Sequence, residues 1–237
     1  LNAIVGFAEI LQNEYFGALN NRQREYSAGI VESSQRLLTL INDILDLASI
    51  EAGYLRLERA PVDIHSLLTA AQNLWRERAR ASGLELAVHC APAIGVLECD
   101  ERRVSQALFN LLSNAFKFTP NGGLITLSAE RDEQEVLLRV SDTGIGIPVK
   151  DQTRVFSAFE RADPQSNARG RHSGAGLGLS LVKSLIELHG GAIDLRSALN
   201  EGTTVTCHLP IQASADAGAP NAKPGADKVG VERQRSA

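Results

Sequence analysis

Methionine is absent from this chain, aromatic residues make up only 5% of it, and there are just three cysteines. Cys90, Cys99 and Cys207 form no C-x-x-C pair and their number is odd. That excludes a disulfide framework and a zinc site of paired cysteines, and leaves buried free thiols in a reducing compartment. Charge of one sign is lacking too. Lys and Arg number 24 against 28 Asp and Glu, for a net charge of −4. The basic excess of a nucleic-acid binder is missing, so no nucleic-acid partner is expected. No apolar run approaches the roughly 20 residues of a membrane helix, so no membrane contact is expected. The opening "LNAIVGFAEIL" has the spacing of an amphipathic helix and no basic leader. With neither Met nor leader at its start, the chain is expected to be a piece of a longer protein.

What is there divides into three parts. Residues 1–14 read as the end of a helix, and "FGALNN" as a turn. A long helix then runs from about Arg22 to Ala52, with Gly53 as its stop. Ile30, Leu37 and Ile44 recur at steps of seven, with Leu40, Ile41 and Leu47 beside them. That stripe is wider than a two-stranded seam and suits a hairpin that pairs with a second copy into a four-helix bundle. A homodimer is the expectation. After Pro61 strand patterns appear at 84–90, 95–99, 124–130, 136–142, 192–198 and 203–209. Helical patterns fall at 65–81, 101–118 and 177–189, and Asp100 is placed to cap the middle one. This is α+β: a helical hairpin followed by a two-layer sandwich, with a sheet covered by helices on one side. The expected division is a hairpin over 1–54, a sandwich domain over 55–212, and a disordered Ala-, Gly- and Pro-rich tail over 213–237.

Three stretches carry candidate chemistry. In "SGAGLGLSLVK" (173–183), alternating glycines suggest a backbone that comes close to a phosphate. The polar residues before Gly174 do not make the strand of a dinucleotide fingerprint, and Val182 stands where a P-loop needs glycine. The segment reads as a basic loop (Arg161, Arg169, Arg171) closing onto a helix near Leu177. A solvated loop before a capped helix is the plainer reading. In "NLLSNAFKFT", Asn110, Asn114 and Lys117 stand at i, i+4 and i+7 on one helix face. Two carboxamides and an ammonium there could hold a metal ion and polyphosphate oxygens. A polar face in water is the alternative. In "SDTGIGIP", Asp142 ends a strand where a carboxylate could accept from an exocyclic amine such as that of adenine. An ordinary Asp-x-Gly turn is the commoner use of that pattern.

In order, "NLLSNAFKFT", "DTGIGI", "VFSAF" and "GAGLGL" resemble the nitrogen-rich, first glycine, phenylalanine and second glycine boxes of bacterial sensor histidine kinases. These belong to the wider superfamily of gyrase, Hsp90 and MutL. "INDILDLASIEAG" resembles the end of that family's second dimerisation helix. The resemblance covers residues 1 to about 211. It implies ATP and Mg²⁺ as cofactors, with Asn114 as the Mg²⁺ ligand, Asn110 one turn earlier, and Lys117 on the phosphates. It makes Asp142 the adenine reader, with Gly144 and Gly146 beneath the base. Gly174, Gly176, Leu177 and Gly178 bring a helix N-terminus to the phosphates. Phe156 and Phe159 anchor a lid over 160–173, and Thr203 sits near the adenine.

Hydrolytic relatives carry a glutamate at the first position of the Asn box. Asn110 cannot act as a general base, so a stand-alone ATPase is disfavoured and the γ-phosphoryl is kept for another nucleophile. The implied function is two-component signalling in the bacterial cytoplasm: transfer from Mg-ATP to a histidine of the dimerisation helix, then to a response-regulator aspartate. The acceptor is expected a few residues upstream of Leu1. His65, His89, His172, His189 and His208 match no acceptor position. Asn2, Gly6 and Phe7 fall on the face that docks the receiver domain. The competing reading is a kinase-like scaffold that binds ATP and a regulator without phosphorylating itself. Phe116, bulkier than the usual aliphatic residue, and Lys150, where an acid is common, depart from the family pattern.

Overall fold

The computed structural model describes residues 1–160 and 175–211. The expected lid over 160–173, with Gly174 and His172, and the expected tail over 213–237 lie outside the described residues, apart from Glu160.

The chain opens with a helical hairpin, α1 (Asn2–Gln12) and α2 (Asn21–Glu51). Asn20 starts α2 with a capping box: its side chain accepts from the Gln23 N–H, and the Gln23 side chain accepts from the Asn20 N–H, both at 2.9 Å. Gly53, at φ +70°, ends it in the left-handed region. The hairpin buries only Ala8, Ser27 and Ser34. The apolar stripe stays exposed, with Ile30 and Leu37 each at 44% and Ile44 at 38%. At its far end α2 joins the second unit. Leu47 and Ile50 pack on that unit's core, and Asp46 pairs with Arg103 at 2.9 Å and accepts from Gln106 at 2.8 Å.

The second unit runs β1 (Ala60–Asp63), α3 (Ile64–Ala81), β2 (Glu85–Cys90), β3 (Val96–Cys99), α4 (Glu101–Phe118), β4 (Leu124–Arg131), β5 (Glu135–Asp142), α5 (Val149–Gln152), α6 (Gly178–Leu188), β6 (Ala192–Ala198) and β7 (Gly202–Pro210). Five strands form one sheet in the order β2-β4-β5-β7-β6, parallel only between β2 and β4. Period-two alternation makes it one-sided. Ile125, Leu127, Val136, Leu138, Val140, Val205, Cys207 and Leu209 are buried, while Ser128, Arg139, Ser141, Thr204 and Thr206 alternate with them. Apolar faces of α3, α4 and α6 complete the core.

One expectation changes. Residues 95–99 do not join the main sheet; β3 pairs antiparallel with β1 in a separate ribbon. β1 went unread because Pro61 breaks the strand pattern, and an edge ribbon tolerates a proline. Residues 149–152, where the sequence suggested no element, form the short α5. Phe116 is also explained. It stacks on Trp75, the one tryptophan, at 4.7 Å between ring centroids, and a smaller side chain would leave that ring uncovered. The thiols behave as expected where they are deepest: burial pushes Cys99 up to about 11 and Cys207 up to about 12.

Candidate functional site

Helix α4 carries Asn110, Asn114 and Lys117, all half-buried, on the face that meets the start of α6. Its N-terminus is set firmly. Asp100 accepts from the Arg103 N–H at 3.1 Å and from the Glu58 N–H at 3.0 Å. The Asp100 N–H in turn donates to His189 Nε2 at 3.1 Å. His189 Nδ1 therefore carries the proton and donates to the Leu185 carbonyl at 2.8 Å. Burial holds His189 below the usual imidazole range. It is a strut between α4 and α6, with no free nitrogen for chemistry.

Helix α6 begins differently from α2, α3 and α4, whose first turns are closed by Asn20, Asp63 and Asp100. Its N-cap is Leu177, buried and without a side-chain cap bond. A leucine cannot accept, so the first-turn N–H groups have no side-chain acceptor at the cap. Gly178 stands opposite the asparagines: a Cβ placed there would lie 3.6 Å from Asn110 Oδ1 and 3.7 Å from Asn114 Nδ2. The second glycine stretch and the Asn-bearing face, far apart in sequence, thus meet. Leu177, expected at the site, is buried at 2% exposure.

Asp142 ends β5 between Ile125 of β4 and Thr203 of β7. Its Oδ1 accepts from the Gly144 N–H at 2.8 Å, and the Thr203 N–H also favours the charged carboxylate. Burial raises its pKa, and these two donors oppose the shift. The turn that follows is bonded to the end of α4, with the Ile145 N–H donating to the Phe118 carbonyl at 3.2 Å. Gly146, at φ +68°, lies so close to the Ala198 carbonyl that any Cβ would overlap it. The turn after Asp142 and the start of α6 therefore both reach α4, at Phe118 and at Asn110 and Asn114.

Phe156 is half-buried and Phe159 is 65% exposed at φ +64°. Phe159 anchors through its backbone: its N–H donates to the Gly176 carbonyl at 3.1 Å, and Gly176, at φ +75°, packs against the main chain of residues 159 and 160. Asn2, Gly6 and Phe7 lie apart from this crevice, on α1, with Phe7 68% exposed.

Sequence reasoning missed Ser197 and Gln152. Ser197 Oγ contacts the Ile147 N–H, the Gly202 carbonyl and the Thr203 hydroxyl. Gln152 Nε2 donates to the carbonyls of Ile147 and Ser197. The alternation of "AIDLRSA" sets Ser197 on the core face with Ile193 and Leu195, and a hydroxyl among core positions was the available signal.

Comparison with known proteins bears on this geometry. Residues 99–213 match the family model of histidine kinase-, DNA gyrase B- and HSP90-like ATPases, and residues 1–53 match the His Kinase A (phospho-acceptor) domain. A mycobacterial sensor histidine kinase, MprB, is 30% identical; the match covers 65% of this chain and all of that one, with a TM-score of 0.55. The chain belongs to the histidine kinases. A sensor-like histidine kinase of Rhizobium meliloti is 41% identical over 215 residues, 90% of this chain and 41% of its own. Full-length ShkA, in a crystal structure in complex with AMPPNP, is 33% identical with a TM-score of 0.74, over 91% of this chain and 44% of that one. This histidine kinase chain spans between 25% and 41% of the length of the curated relatives it matches. Among its described residues no helix is long and apolar enough to cross a membrane.

Proposed function

We propose that residues 55–212 are the Mg-ATP-binding catalytic domain, and residues 1–54 the dimerisation hairpin, of a protein-histidine kinase that serves two-component signalling in the bacterial cytoplasm. The observation that carries this reading is the uncapped start of α6 facing Asn110 and Asn114 across Gly178. N–H groups at a helix start favour anionic oxygens, and a side chain at 178 would fill the space they need. Gly174, by the resemblance, belongs to the same clamp.

Asn114, with Asn110 one turn earlier, supplies carboxamide oxygens suited to a hard divalent cation. Asn114 and Asn110 would hold Mg²⁺ there, and its charge would offset that of the phosphates. Lys117 adds a cation to the phosphate end. Asp142 accepts from the exocyclic amine of adenine, held for that role by the Gly144 and Thr203 N–H groups. Gly144 and Gly146 give the base a flat floor, Phe156 and Phe159 fix the near end of a lid, and Thr203 closes the base edge. Asn110 does not take a proton from water at neutral pH, so the site positions the γ-phosphoryl for a side-chain nucleophile. Of the described histidines, His65, His89, His189 and His208 stand on α3, β2, the end of α6 and β7, none on the hairpin. The exposed stripe of α2 supports a homodimer, and Asn2, Gly6 and Phe7 on α1 form the docking face for a response-regulator receiver domain.

Calorimetry with Mg-ADP tests the reading. Wild type binds, and Asp142→Asn loses at least about tenfold in affinity, the value of one charge-assisted hydrogen bond. The same substitution removes a carboxylate that burial disfavours, so the ligand-free domain melts no lower. Folded protein that gives no heat with Mg-ADP, or an Asp142→Asn variant with undiminished affinity, rejects the assignment.

A further inference from the structure

Ile125, Asp142, Thr203 and Ser197 form one cross-strand row at the end of the sheet, on its helix-covered side. Around Ser197 Oγ the bonding is fully determined. The Gly202 carbonyl, 2.8 Å away, can only accept, so it takes the single Ser197 proton. The Ile147 N–H, also at 2.8 Å, can only donate, so it fills one Ser197 lone pair. The Thr203 hydroxyl lies 2.9 Å from the same oxygen. With the Ser197 proton already committed, Thr203 must be the donor in that contact. Its remaining capacity is lone pairs alone.

We propose that Ser197 is a positioning residue for base selection: by fixing the proton of the Thr203 hydroxyl, it leaves Thr203 and Asp142 as a pair of acceptors facing the base edge. This rests on the adenine reading of the site and deepens it. Adenine presents an amine donor at position 6, which an acceptor pair binds. Guanine presents a carbonyl there, which the pair repels. A hydroxyl free to rotate would turn its proton toward that carbonyl and tolerate guanine. The row therefore discriminates by bond direction, at a position where Thr203 by itself would not. Gln152 holds the arrangement from the other side, donating to the Ile147 carbonyl at 2.9 Å and to the Ser197 carbonyl at 2.7 Å.

The test is the ratio of dissociation constants for Mg-GDP and Mg-ADP, measured by calorimetry on the whole chain. Ser197→Ala lowers the preference for ADP about tenfold, the ratio set by one hydrogen bond. Ser197→Thr, which keeps a hydroxyl, restores most of it. Thr203→Val lowers the preference likewise, and adding Ser197→Ala to Thr203→Val changes the ratio no further. A purely structural role would weaken both nucleotides together and leave the ratio alone; that result overturns the proposal. If Ser197→Ala does not fold, an unchanged ratio in Thr203→Val overturns it equally. Wild type that binds no ADP rejects the adenine reading itself, whereas ADP binding with an unchanged ratio rejects only the part given to Ser197.

Discussion

The hairpin and the sandwich domain solve the same problem in opposite ways. The domain buries a contiguous core, from Ile64 and Leu68 through Leu108 and Leu112 to Leu181 and Leu185, within one chain. The hairpin buries one alanine and two serines and leaves Ile30, Leu37, Ile41 and Ile44 in water. Two helices side by side cannot enclose a stripe that wide. One unit is complete alone; the other leaves its apolar stripe uncovered, and in the proposed dimer its stability would depend on concentration.

That contrast can be broken most easily from the inside. Trp75→Ala removes the ring between Phe109 and Phe116 and costs the domain about 3–5 kcal/mol. Its melting temperature falls whatever the protein concentration. Leu37→Ala costs about 1.5–3 kcal/mol per buried side chain, but in a different currency. It moves the monomer–dimer equilibrium seen by light scattering and leaves the domain's own melt in place. A wild-type chain that stays monomeric at every concentration ends the contrast.

The joint between the units ranks next. Arg103 and Asp46 are 11% and 21% exposed, so breaking the pair strands a charge in a partly dry place. Arg103→Ala is expected to cost about 1–2 kcal/mol, below the full value for a buried pair because solvent reaches Asp46. Hydrogen exchange reads the result as faster opening at the end of α2, with the sheet still protected.

The smallest effect is one of sign. Burial, with Asp46 nearby, pushes Asp43 of α2 up to about 6. Its folded value exceeds its unfolded one, so its contribution is full at low pH and is lost as pH rises from about 4 to about 6. His189 in the domain is shifted down. Its contribution is present above the unfolded imidazole value and is lost as pH falls through the lower folded one. Asp43→Asn and His189→Gln are each to be compared with wild type in melts across pH 4–8. The two difference curves slope in opposite directions, and parallel slopes refute the assignment.

Much of this was legible beforehand. Helix α4 and its Asp100 cap, the strands of the main sheet and the shared face of Asn110 and Asn114 follow from local rules of period and capping. Strand β3 was legible at 95–99, but its partner β1 was not, because a four-residue strand containing Pro61 carries too little alternation. Nor was the role of Ser197. Its bonds go to residues 147, 202 and 203, and no local spacing announces that the ends of β6 and β7 meet the turn after β5. The facing of Gly178 and the asparagines became visible only through the resemblance, since tertiary approach between distant segments leaves no local trace.

The mixture of near and distant strand pairings in the sheet bears on timing. Glu85 lies opposite Leu124, with β3 and all of α4 strung between them. The other neighbours in the sheet are antiparallel, and β4 meets β5 across a turn at residues 132–134. A nearby turn closes early, while a distant strand must wait for its long loop to be gathered in. During refolding, then, the β4–β5 and β6–β7 hairpins are expected to close first; β2 is added once α4 has found its place, and the join of β5 to β7, whose partners lie furthest apart in sequence, waits longest.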